Sequence, residues 1–236
     1  GSGVLGSALA MDKWRAKALC GLAGIPTPAA HLVHTLAEAH EALADIGLPL
    51  VVKPVFEGSS IGVSMVDTVA QLAEAFGEAR RHGPVLVERR VLGLELAVGI
   101  LGDRALPAVG LRAASEFYDY HAKYVAEDTE YLCPPPLPEA TQERLGTFAL
   151  EAFRTLGCEG WGRVDFILDE NGEPRFIECN TAPGMTAHSL VPIAARAAGL
   201  DFPALCVAIL ADTLSTGEAS AEAGHVGAPG QSEVTA

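Results

Sequence analysis

Apolar and polar residues follow two periods along this chain, one typical of helices and one typical of strands. Apolar residues recur at three- and four-residue spacing over residues 7–21, 35–46, 68–81, 138–156, 189–198 and 203–214, which predicts helices there. Short apolar runs at 48–53, 63–66, 85–88, 94–101 and 106–111 predict strands, and residues 162–180 have the pattern of a hairpin. Helices and strands therefore mix throughout the chain.

Two stretches lack either period. Residues 113–138 are rich in aromatic and charged residues and end in Pro134-Pro135-Pro136. A non-periodic segment of this length in a compact domain is typically functional or disordered. The last part, residues 215–236, is rich in Gly, Ala, Ser and Glu and has few large apolar residues, which predicts a disordered tail.

The predicted hairpin at 162–180 carries the sharpest chemical signal. Asn171-Gly172, flanked by β-forming residues, is a strong sign of a two-residue turn, because both turn positions need positive φ angles. A turn at this place fixes which residues face each other: Asp165 opposite Glu178, and Arg163 opposite Asn180. Since side chains alternate between faces along a strand, these four lie on one face. A bulge or a longer turn would shift this register.

Two carboxylates that face each other across a β-ladder repel, so this face needs a compensating cation. Carboxylate and amide oxygens are hard ligands that suit Mg²⁺, which completes its shell with water and substrate phosphates. We therefore predict a magnesium site formed by Asp165, Glu178 and Asn180. The alternative is a solvated polar face, which is weakened by Ile167 and Phe176-Ile177, because they make the hairpin apolar on both sides.

Lysine is used sparingly, since the chain has only four lysines among its 16 basic residues. Lys53 ends an apolar strand just before the small-residue loop Glu57-Gly58-Ser59-Ser60-Ile61-Gly62. Such loops let backbone N–H groups approach phosphate oxygens, and an ammonium there is a compact charge for phosphate. The alternative is a strand-end lysine that extends into solvent. Lys13, in the middle of the first predicted helix, and Lys123, in the long loop, are surface residues on the simplest interpretation.

Composition narrows the classes of partner. The chain has 236 residues, enough for one large or two small domains, and a net charge of −14, which argues against a nucleic-acid partner. No apolar run reaches the roughly 18 residues that a membrane span needs, and no secretory signal is visible. The five cysteines are widely spaced without a C-x-x-C pair, which predicts reduced, buried thiols in a cytosolic protein.

Several motifs, taken in order, resemble those of the D-alanine–D-alanine ligase family. They are Gly1-Ser2-Gly3-Val4-Leu5, Met11-Asp12-Lys13, Val52-Lys53-Pro54 with Glu57-Gly58-Ser59-Ser60, Phe117-Tyr118-Asp119-Tyr120 with Ala122-Lys123-Tyr124, Gly160-Trp161-Gly162-Arg163-Val164-Asp165, and Glu178-Cys179-Asn180-Thr181-Ala182-Pro183-Gly184-Met185-Thr186 with His188-Ser189-Leu190. The last set is the most diagnostic. The resemblance extends from residue 1 to about residue 214.

This resemblance implies an ATP-grasp fold of the α+β class, in which two α+β lobes with antiparallel sheets enclose ATP. Residues 1–29 would form a linker helix and the entry to the grasp region, residues 30–88 the small lobe, and residues 89–214 the large lobe with the metal site and a mobile loop. Because the chain begins at Gly1 without Met, we expect the family's N-terminal domain, which supplies a glutamate to the first D-alanine, to be missing.

The resemblance also implies a role for individual residues. Residues that would bind the nucleotide are Lys13, Lys53, Ser60, Glu88 at the adenine edge, Glu95 at the ribose, Lys123 in the mobile loop and Asn180. The metal ligands would be Asp165, Glu178 and Asn180. Catalytic roles fall to Arg163 and the N–H of Gly184 at the oxyanion, and to Ser59 and Tyr124 in a triad that anchors the loop. Ser189 and Leu190 would form the pocket for the second D-alanine.

The implied cofactors are ATP and two Mg²⁺ ions, or Mn²⁺, and the implied substrate is D-alanine. The family further implies a cytoplasmic enzyme of peptidoglycan synthesis, a homodimer at full length, with neither a nucleic-acid nor a membrane partner. Two alternatives stay open. Another ATP-grasp carboxylate–amine ligase would lack the His188-Ser189-Leu190 pocket and the tyrosine-rich loop. A nucleotide-binding fragment would bind Mg-ATP without catalysis. D-lactate and D-serine are the competing second substrates.

Overall fold

The computed structural model describes residues 1–112 and 130–223. The helices are α1 (Val4–Met11), α2 (Lys13–Leu22), α3 (Leu36–Ile46), α4 (Leu72–Arg80), α5 (Glu139–Thr155), α6 (Leu190–Ala197) and α7 (Phe202–Ala223), with a 3₁₀ turn at Val69–Gln71. The strands are β1 (Ala30–Val33), β2 (Leu50–Pro54), β3 (Ser64–Val66), β4 (Val85–Arg89), β5 (Gly93–Leu101), β6 (Arg104–Ala105), β7 (Val109–Arg112), β8 (Glu130–Leu132), β9 (Trp161–Asp169) and β10 (Pro174–Asn180).

Two separate antiparallel sheets organise the chain. The first has four strands in the order β1-β4-β2-β3, and α3 and α4 pack against it over an apolar core that includes Val52, Leu72 and Val87. The second has the order β10-β9-β5-β7-β8, with β6 paired to β5. Helix α5 covers one face of the second sheet, where Phe153 and Phe166 are buried. The expected α+β class with antiparallel sheets is therefore confirmed.

The first predicted helix is wrong in one respect that affects the site. The chain forms two helices, α1 and α2, where the apolar period predicted a single helix over residues 7–21. Asp12 breaks the helix because its backbone is extended and its carboxylate accepts a hydrogen bond from the backbone N–H of Arg15 at 2.9 Å. This satisfies an N–H group at the start of α2. Lys13 is consequently the first residue of α2 and does not lie in the middle of a helix.

A capping box in a shifted form begins α3, at Thr35-Leu36-Ala37-Glu38. The hydroxyl of Thr35 accepts a hydrogen bond from the backbone N–H of Glu38 at 3.2 Å, as expected for an N-cap. The carboxylate of Glu38 accepts from the N–H of His34 at 2.7 Å, one residue earlier than in the standard box. Both N–H groups are satisfied, so α3 begins where the sequence predicted.

Short strands and the last helix depart from the predicted pattern. The strands β1 and β8 were not predicted, because four and three residues are too few to show a period of two. Helix α7 extends to Ala223 and so passes the predicted start of the tail at residue 215. The end of this helix is rich in Ala and Glu, which have high helix propensity. Its composition alone had predicted disorder. The prediction for residues 224–236 falls outside the described residues.

Two further expectations can be compared with the described residues. No single helix in residues 1–112 and 130–223 is both long and apolar enough to cross a membrane; one bent pair, α6 with residues 202–214 of α7, passes only when its members are taken together. All five cysteines are free, and Cys20, Cys158 and Cys179 are buried. These three buried thiols agree with the predicted cysteine state, whereas Cys133 and Cys206 are only partly buried.

Gly162, in β9 beside the site, provides a test of the packing behind the hairpin. A Cβ atom at this position would lie 2.5 Å from Cε2 of Phe153 and 2.9 Å from the backbone oxygen of Asn180. We expect Gly162→Ala to lower the free energy of unfolding by about 1–3 kcal/mol, because an added methyl group overpacks a filled core. Gly77→Ala in α4, where a Cβ atom has open space, is the matched control and should be neutral or slightly stabilising. Urea denaturation measures both, and equal midpoints would contradict the packing described here.

Candidate functional site

The β9–β10 hairpin reaches the predicted pairing by an unexpected route. Near the turn the register pairs Pro174 with Leu168 and Phe176 with Phe166, one residue away from the register that a two-residue turn requires. The loop is longer than predicted: the backbone N–H of Asp169 bonds to the oxygen of Glu173 at 3.0 Å. Gly172 has a φ of 77°, as its position in such a turn requires.

A β-bulge then cancels this shift. The register changes between Phe176 and Glu178, so Ile177 is the extra residue on β10. Beyond the bulge the observed pairs are Glu178 with Asp165 and Asn180 with Arg163, the two pairs that the sequence predicted. The predicted turn was wrong and the predicted pairing is confirmed, because the longer loop and the bulge shift the register in opposite directions.

Two cations neutralise the facing carboxylates of this hairpin. The guanidinium of Arg163 donates to both oxygens of Asp165, at 2.8 Å from Nε and 2.9 Å from Nη2. The ammonium of Lys13 lies 3.3 Å from Oε2 of Glu178 and also donates to the backbone oxygen of Glu57. Lys13 thereby connects the hairpin to the small-residue loop. The repulsion predicted between Asp165 and Glu178 is thus balanced within the protein itself.

The donor set on this face suits a hard divalent cation. Asp165 and Glu178 supply carboxylate oxygens, and the amide oxygen of Asn180, which accepts a hydrogen bond from the N–H of Ala182 at 3.0 Å, retains a second lone pair. Across residues 1–112 and 130–223, no group of three or more His, Cys, Asp and Glu side chains is placed to hold a metal ion. A metal on this face would therefore depend on the amide and on substrate oxygens beside the two carboxylates.

The second polar cluster is buried and joins Lys53, Glu88 and Lys17. Lys53 on β2 and Glu88 on β4 are only 6% and 3% exposed, and the Lys53 ammonium forms an ion pair with Oε1 of Glu88. Lys17 on α2, 3% exposed, lies 2.9 Å from Oε2 of the same carboxylate. The two lysines therefore share one carboxylate.

The charge state of Glu88 follows from this arrangement. Burial alone would raise the pKa of the Glu88 carboxyl, but the charges of Lys17 and Lys53 outweigh it and hold the pKa at about 2. Burial lowers the pKa of the Lys17 ammonium, and the nearby charge of Lys53 adds to this, while Glu88 opposes both. Glu88 is thus an anion at neutral pH and a hydrogen-bond acceptor only.

The small-residue loop has an uncommon backbone. Ser59 and Ser60 have φ angles of 50° and 60°, in the left-handed region that non-glycine residues seldom occupy. The loop closes on itself, with the N–H of Ile61 bonded to the oxygen of Gly58 at 3.0 Å. Residues in this conformation cost free energy and are concentrated at active sites and ligand-binding loops. The predicted nucleotide residue Ser60 and catalytic residue Ser59 lie here.

The segment that follows β10 contains the predicted substrate residues. Ser189 precedes α6, and its hydroxyl accepts a hydrogen bond from the N–H of Thr186 at 3.0 Å. A Cβ atom at Gly184 would lie only 2.9 Å from this hydroxyl oxygen, so a side chain at position 184 would collide with Ser189. Leu190 begins α6 and packs at the edge of an apolar cluster with Val191. Gly184 and Ser189 therefore lie close together before α6, and Leu190 is the first residue of that helix.

The remaining predicted residues divide into two groups. Glu95 lies on β5, where it pairs with Ile167 of β9 and Leu111 of β7, and its side chain is partly buried. It belongs to the strand beside the acidic hairpin. Lys123 and Tyr124 lie outside the described residues. Their roles stay predictions.

Lys17 is the functional candidate that the sequence reasoning did not identify. A lysine within a helix usually faces solvent, and this is the simplest prediction for Lys17. Lys17 lies on the buried face of α2 with Ala16 and Cys20. The signal was available: Lys13, Lys17 and Cys20 follow at spacings of four and three, which places two of the four lysines on the helix face that carries a buried residue.

Comparison with known proteins identifies the family. The family model described as D-ala D-ala ligase C-terminus matches residues 23–211. The chain belongs to the D-alanine–D-alanine ligase family. The D-alanine–D-alanine ligase of Dechloromonas aromatica is 52% identical over 211 residues, which cover 89% of this chain and 70% of that protein.

Solved structures agree with this family assignment. The crystal structure of D-alanine–D-alanine ligase from Bacillus anthracis complexed with ATP has a TM-score of 0.79 and 29% identity, and the match covers 93% of this chain and 71% of that one. The VanG D-Ala:D-Ser ligase from Enterococcus faecalis has a TM-score of 0.79 and 32% identity, covering 89% and 63%. The D-alanine–D-alanine ligase family consists of ATP-dependent ligases with the ATP-grasp fold. The expected fold and the expected enzyme class are therefore both confirmed.

Proposed function

We propose that this chain is the ATP-binding and metal-binding catalytic portion of an enzyme that joins two D-alanine molecules into D-alanyl-D-alanine, with ADP and phosphate as the other products. The observation that carries the proposal is the acidic face of the β9–β10 hairpin, where Asp165 and Glu178 pair beyond the bulge. Family membership indicates the substrate class. The hairpin carries the side chains that would bind metal ions beside a phosphoryl group.

The metal ligands in this proposal are Asp165, Glu178 and Asn180. Their oxygens are the type that Mg²⁺ or Mn²⁺ prefers, and two ions bound here would offset the charge of the nucleotide phosphates. Arg163 is held beside them by its two hydrogen bonds to Asp165, so its guanidinium is oriented before substrates arrive. A guanidinium held in this way is a donor that can stabilise an oxyanion.

In this proposal the nucleotide is bound by residues beside the acidic hairpin face and by residues of the buried cluster around Lys53 and Glu88. Lys13 and Lys53 neutralise phosphate charge, Ser60 lies in the loop whose backbone approaches the phosphates, and Glu95 accepts from the ribose hydroxyls. Glu88, an acceptor at neutral pH, receives the exocyclic amine of adenine. Lys123, whose position falls outside the described residues, would cover the γ-phosphate, and Tyr124 with Ser59 would anchor its loop.

The proposed reaction has two steps. An oxygen of the first D-alanine carboxylate attacks the γ-phosphorus of ATP, the bond to the β-phosphate oxygen breaks, and an acyl phosphate and ADP form. The amine of the second D-alanine, held near Ser189 and Leu190, attacks the acyl carbon, phosphate leaves, and the proton that the nitrogen gives up passes to the phosphate or to solvent. Arg163 and the N–H of Gly184 stabilise the oxyanion that develops on the carbonyl oxygen. The product would serve peptidoglycan synthesis in the cytoplasm, and the full-length enzyme would be a homodimer.

Mg-ATP is expected to stabilise the folded chain. A ligand that binds only the native state raises the free energy of unfolding by about 2.7 kcal/mol when its free concentration is 100 times its Kd. We therefore expect the melting temperature to rise on addition of Mg-ATP and to return toward the ligand-free value when EDTA removes the metal. Differential scanning fluorimetry measures this directly. An unchanged melting temperature with millimolar Mg-ATP would contradict the proposal.

Product analysis separates the candidate activities. The chain is incubated with Mg-ATP and D-alanine, alone and with D-serine or D-lactate, and ADP and the joined products are quantified. The proposal expects D-alanyl-D-alanine with D-alanine alone, and little ester or D-serine product near neutral pH. Mg-ATP binding without any joined product would support the nucleotide-binding alternative for this chain, whose matches cover 70% of the Dechloromonas aromatica relative. Preferential use of D-serine would resemble the VanG neighbour and overturn the choice of second substrate.

A further inference from the structure

Lys17 makes contacts in both sheets of the molecule. Its ammonium, buried within α2, lies 2.9 Å from Oε2 of Glu88 on β4 of the first sheet. The same nitrogen donates to the backbone oxygen of Phe176 on β10 of the second sheet, at 3.2 Å. Phe176 directly precedes the bulged residue Ile177. One buried cation thus connects the carboxylate at the proposed adenine edge with the bulge that sets the metal face.

Among the described residues, each oxygen of the Glu88 carboxylate has a different lysine as its ion-pair partner. Oε1 pairs with Lys53 and Oε2 with Lys17. In the proposed function Lys53 also serves the phosphates, so the approach of a nucleotide divides the charge of Lys53 between two anions. Lys17 is buried, donates to a backbone oxygen of the hairpin, and faces no phosphate in that function. It is therefore the cation that stays with Glu88 throughout.

We propose that Lys17 is a positioning residue that keeps Glu88 anionic and oriented as an acceptor, and thereby makes the site select adenine over guanine nucleotides. This inference rests on the proposed function, which places Glu88 at the adenine edge. Adenine presents an amino donor at the position where guanine presents the O6 acceptor. An anionic carboxylate accepts from the first and repels the second, whereas a protonated carboxyl group can donate to O6.

A purely structural role for Lys17 makes a different prediction. If the ammonium only links α2 to the two sheets, its removal weakens the fold and the affinity for every nucleotide by a similar factor. If it acts through Glu88, its removal changes the ratio of ATP affinity to GTP affinity. The ratio is therefore the informative quantity, and affinity for one nucleotide alone is not.

The test measures binding of Mg-ATP and Mg-GTP to the chain by isothermal titration calorimetry. We expect Lys17→Met to weaken ATP binding by about tenfold or more and to lower the ATP-to-GTP affinity ratio by a similar factor, because a hydrogen bond to a charged group is lost or misdirected. Lys17→Arg keeps the charge and should preserve most of the ratio. Arg154→Met removes an exposed cation, paired with Asp103, and should leave both affinities unchanged.

If Lys17→Met does not fold, a second pair of variants still tests the proposal. Glu88→Gln and the double variant Lys17→Met/Glu88→Gln differ only in the lysine, and the double variant leaves no unpaired carboxylate. Because Lys17 acts through the charge of Glu88, the two should show the same low ATP-to-GTP ratio, and a clear difference between them would overturn the proposal. So would an unchanged ratio in Lys17→Met. A wild-type chain that does not prefer ATP would instead overturn the proposed function.

Discussion

Replacing Glu178 by glutamine is expected to lower the turnover of dipeptide formation by about 10³-fold, because a metal ion at a phosphoryl group supplies several kcal/mol of charge stabilisation. The substitution keeps the size of the side chain and removes one of the two carboxylates on the hairpin face. It also removes the charge that faces Lys13 at 3.3 Å, so the ammonium loses its ion pair with the hairpin and keeps its hydrogen bond to the backbone oxygen of Glu57. Both effects act on the bound phosphates, and the structure of the hairpin itself should persist.

The measurement is a titration of Mg²⁺ at fixed ATP, followed through ADP release and through nucleotide binding. The binding arm applies even if the chain forms no dipeptide, since the metal requirement of ATP binding should weaken in the same variant. Glu173→Gln is the matched control: it lies on the same hairpin, but its carboxylate pairs with the exposed Arg144 at 2.7 Å and faces no phosphate in the proposed function. Equal Mg²⁺ dependence in Glu178→Gln and the control would show that the hairpin does not form the metal site.

The hairpin also shows what the sequence can and cannot predict. Alternation of side chains between faces, and the Asn171-Gly172 dipeptide, were enough to place Asp165 opposite Glu178. The path between them was not predictable in this way, because the hydrogen bonds of Asp169 to the N–H groups of Asn171 and Glu173 favour a longer loop. A bulge leaves no local pattern of its own at Ile177. The pairing was therefore correct through two compensating features.

Long-range side-chain contacts are the part of the site that local patterns could not provide. Lys17 and Phe176 are separated by 159 positions in the chain, and their contact depends on how α2 packs against β10. Glu88 was assigned to the adenine edge by resemblance, and nothing in its sequence neighbourhood indicated that two lysines would share it. The break at Asp12, in contrast, was readable, since aspartate is a preferred N-cap residue and directly precedes Lys13.

Replacing Glu88 by alanine is expected to lower the free energy of unfolding by about 3–5 kcal/mol, because loss of one partner leaves uncompensated charge in the interior. The variant leaves the ammonium groups of Lys17 and Lys53, 3% and 6% exposed, close together without the carboxylate between them. Chemical denaturation at neutral pH measures the loss. Glu78→Ala removes an exposed carboxylate that pairs with Arg81 and should cost less than about 1 kcal/mol.

The pH dependence of this loss identifies its electrostatic origin. The pKa of Glu88 is held at about 2, below its ordinary value of 4.5, so folding favours the ionised form. Its stabilising contribution is therefore complete above pH 4.5 and declines as the pH falls toward 2. The difference in unfolding free energy between wild type and Glu88→Ala should stay level from neutral pH to about pH 5 and narrow in more acidic solution. A difference that stays constant down to pH 3, or one below about 1 kcal/mol at neutral pH, would show that the lysines do not depend on this carboxylate.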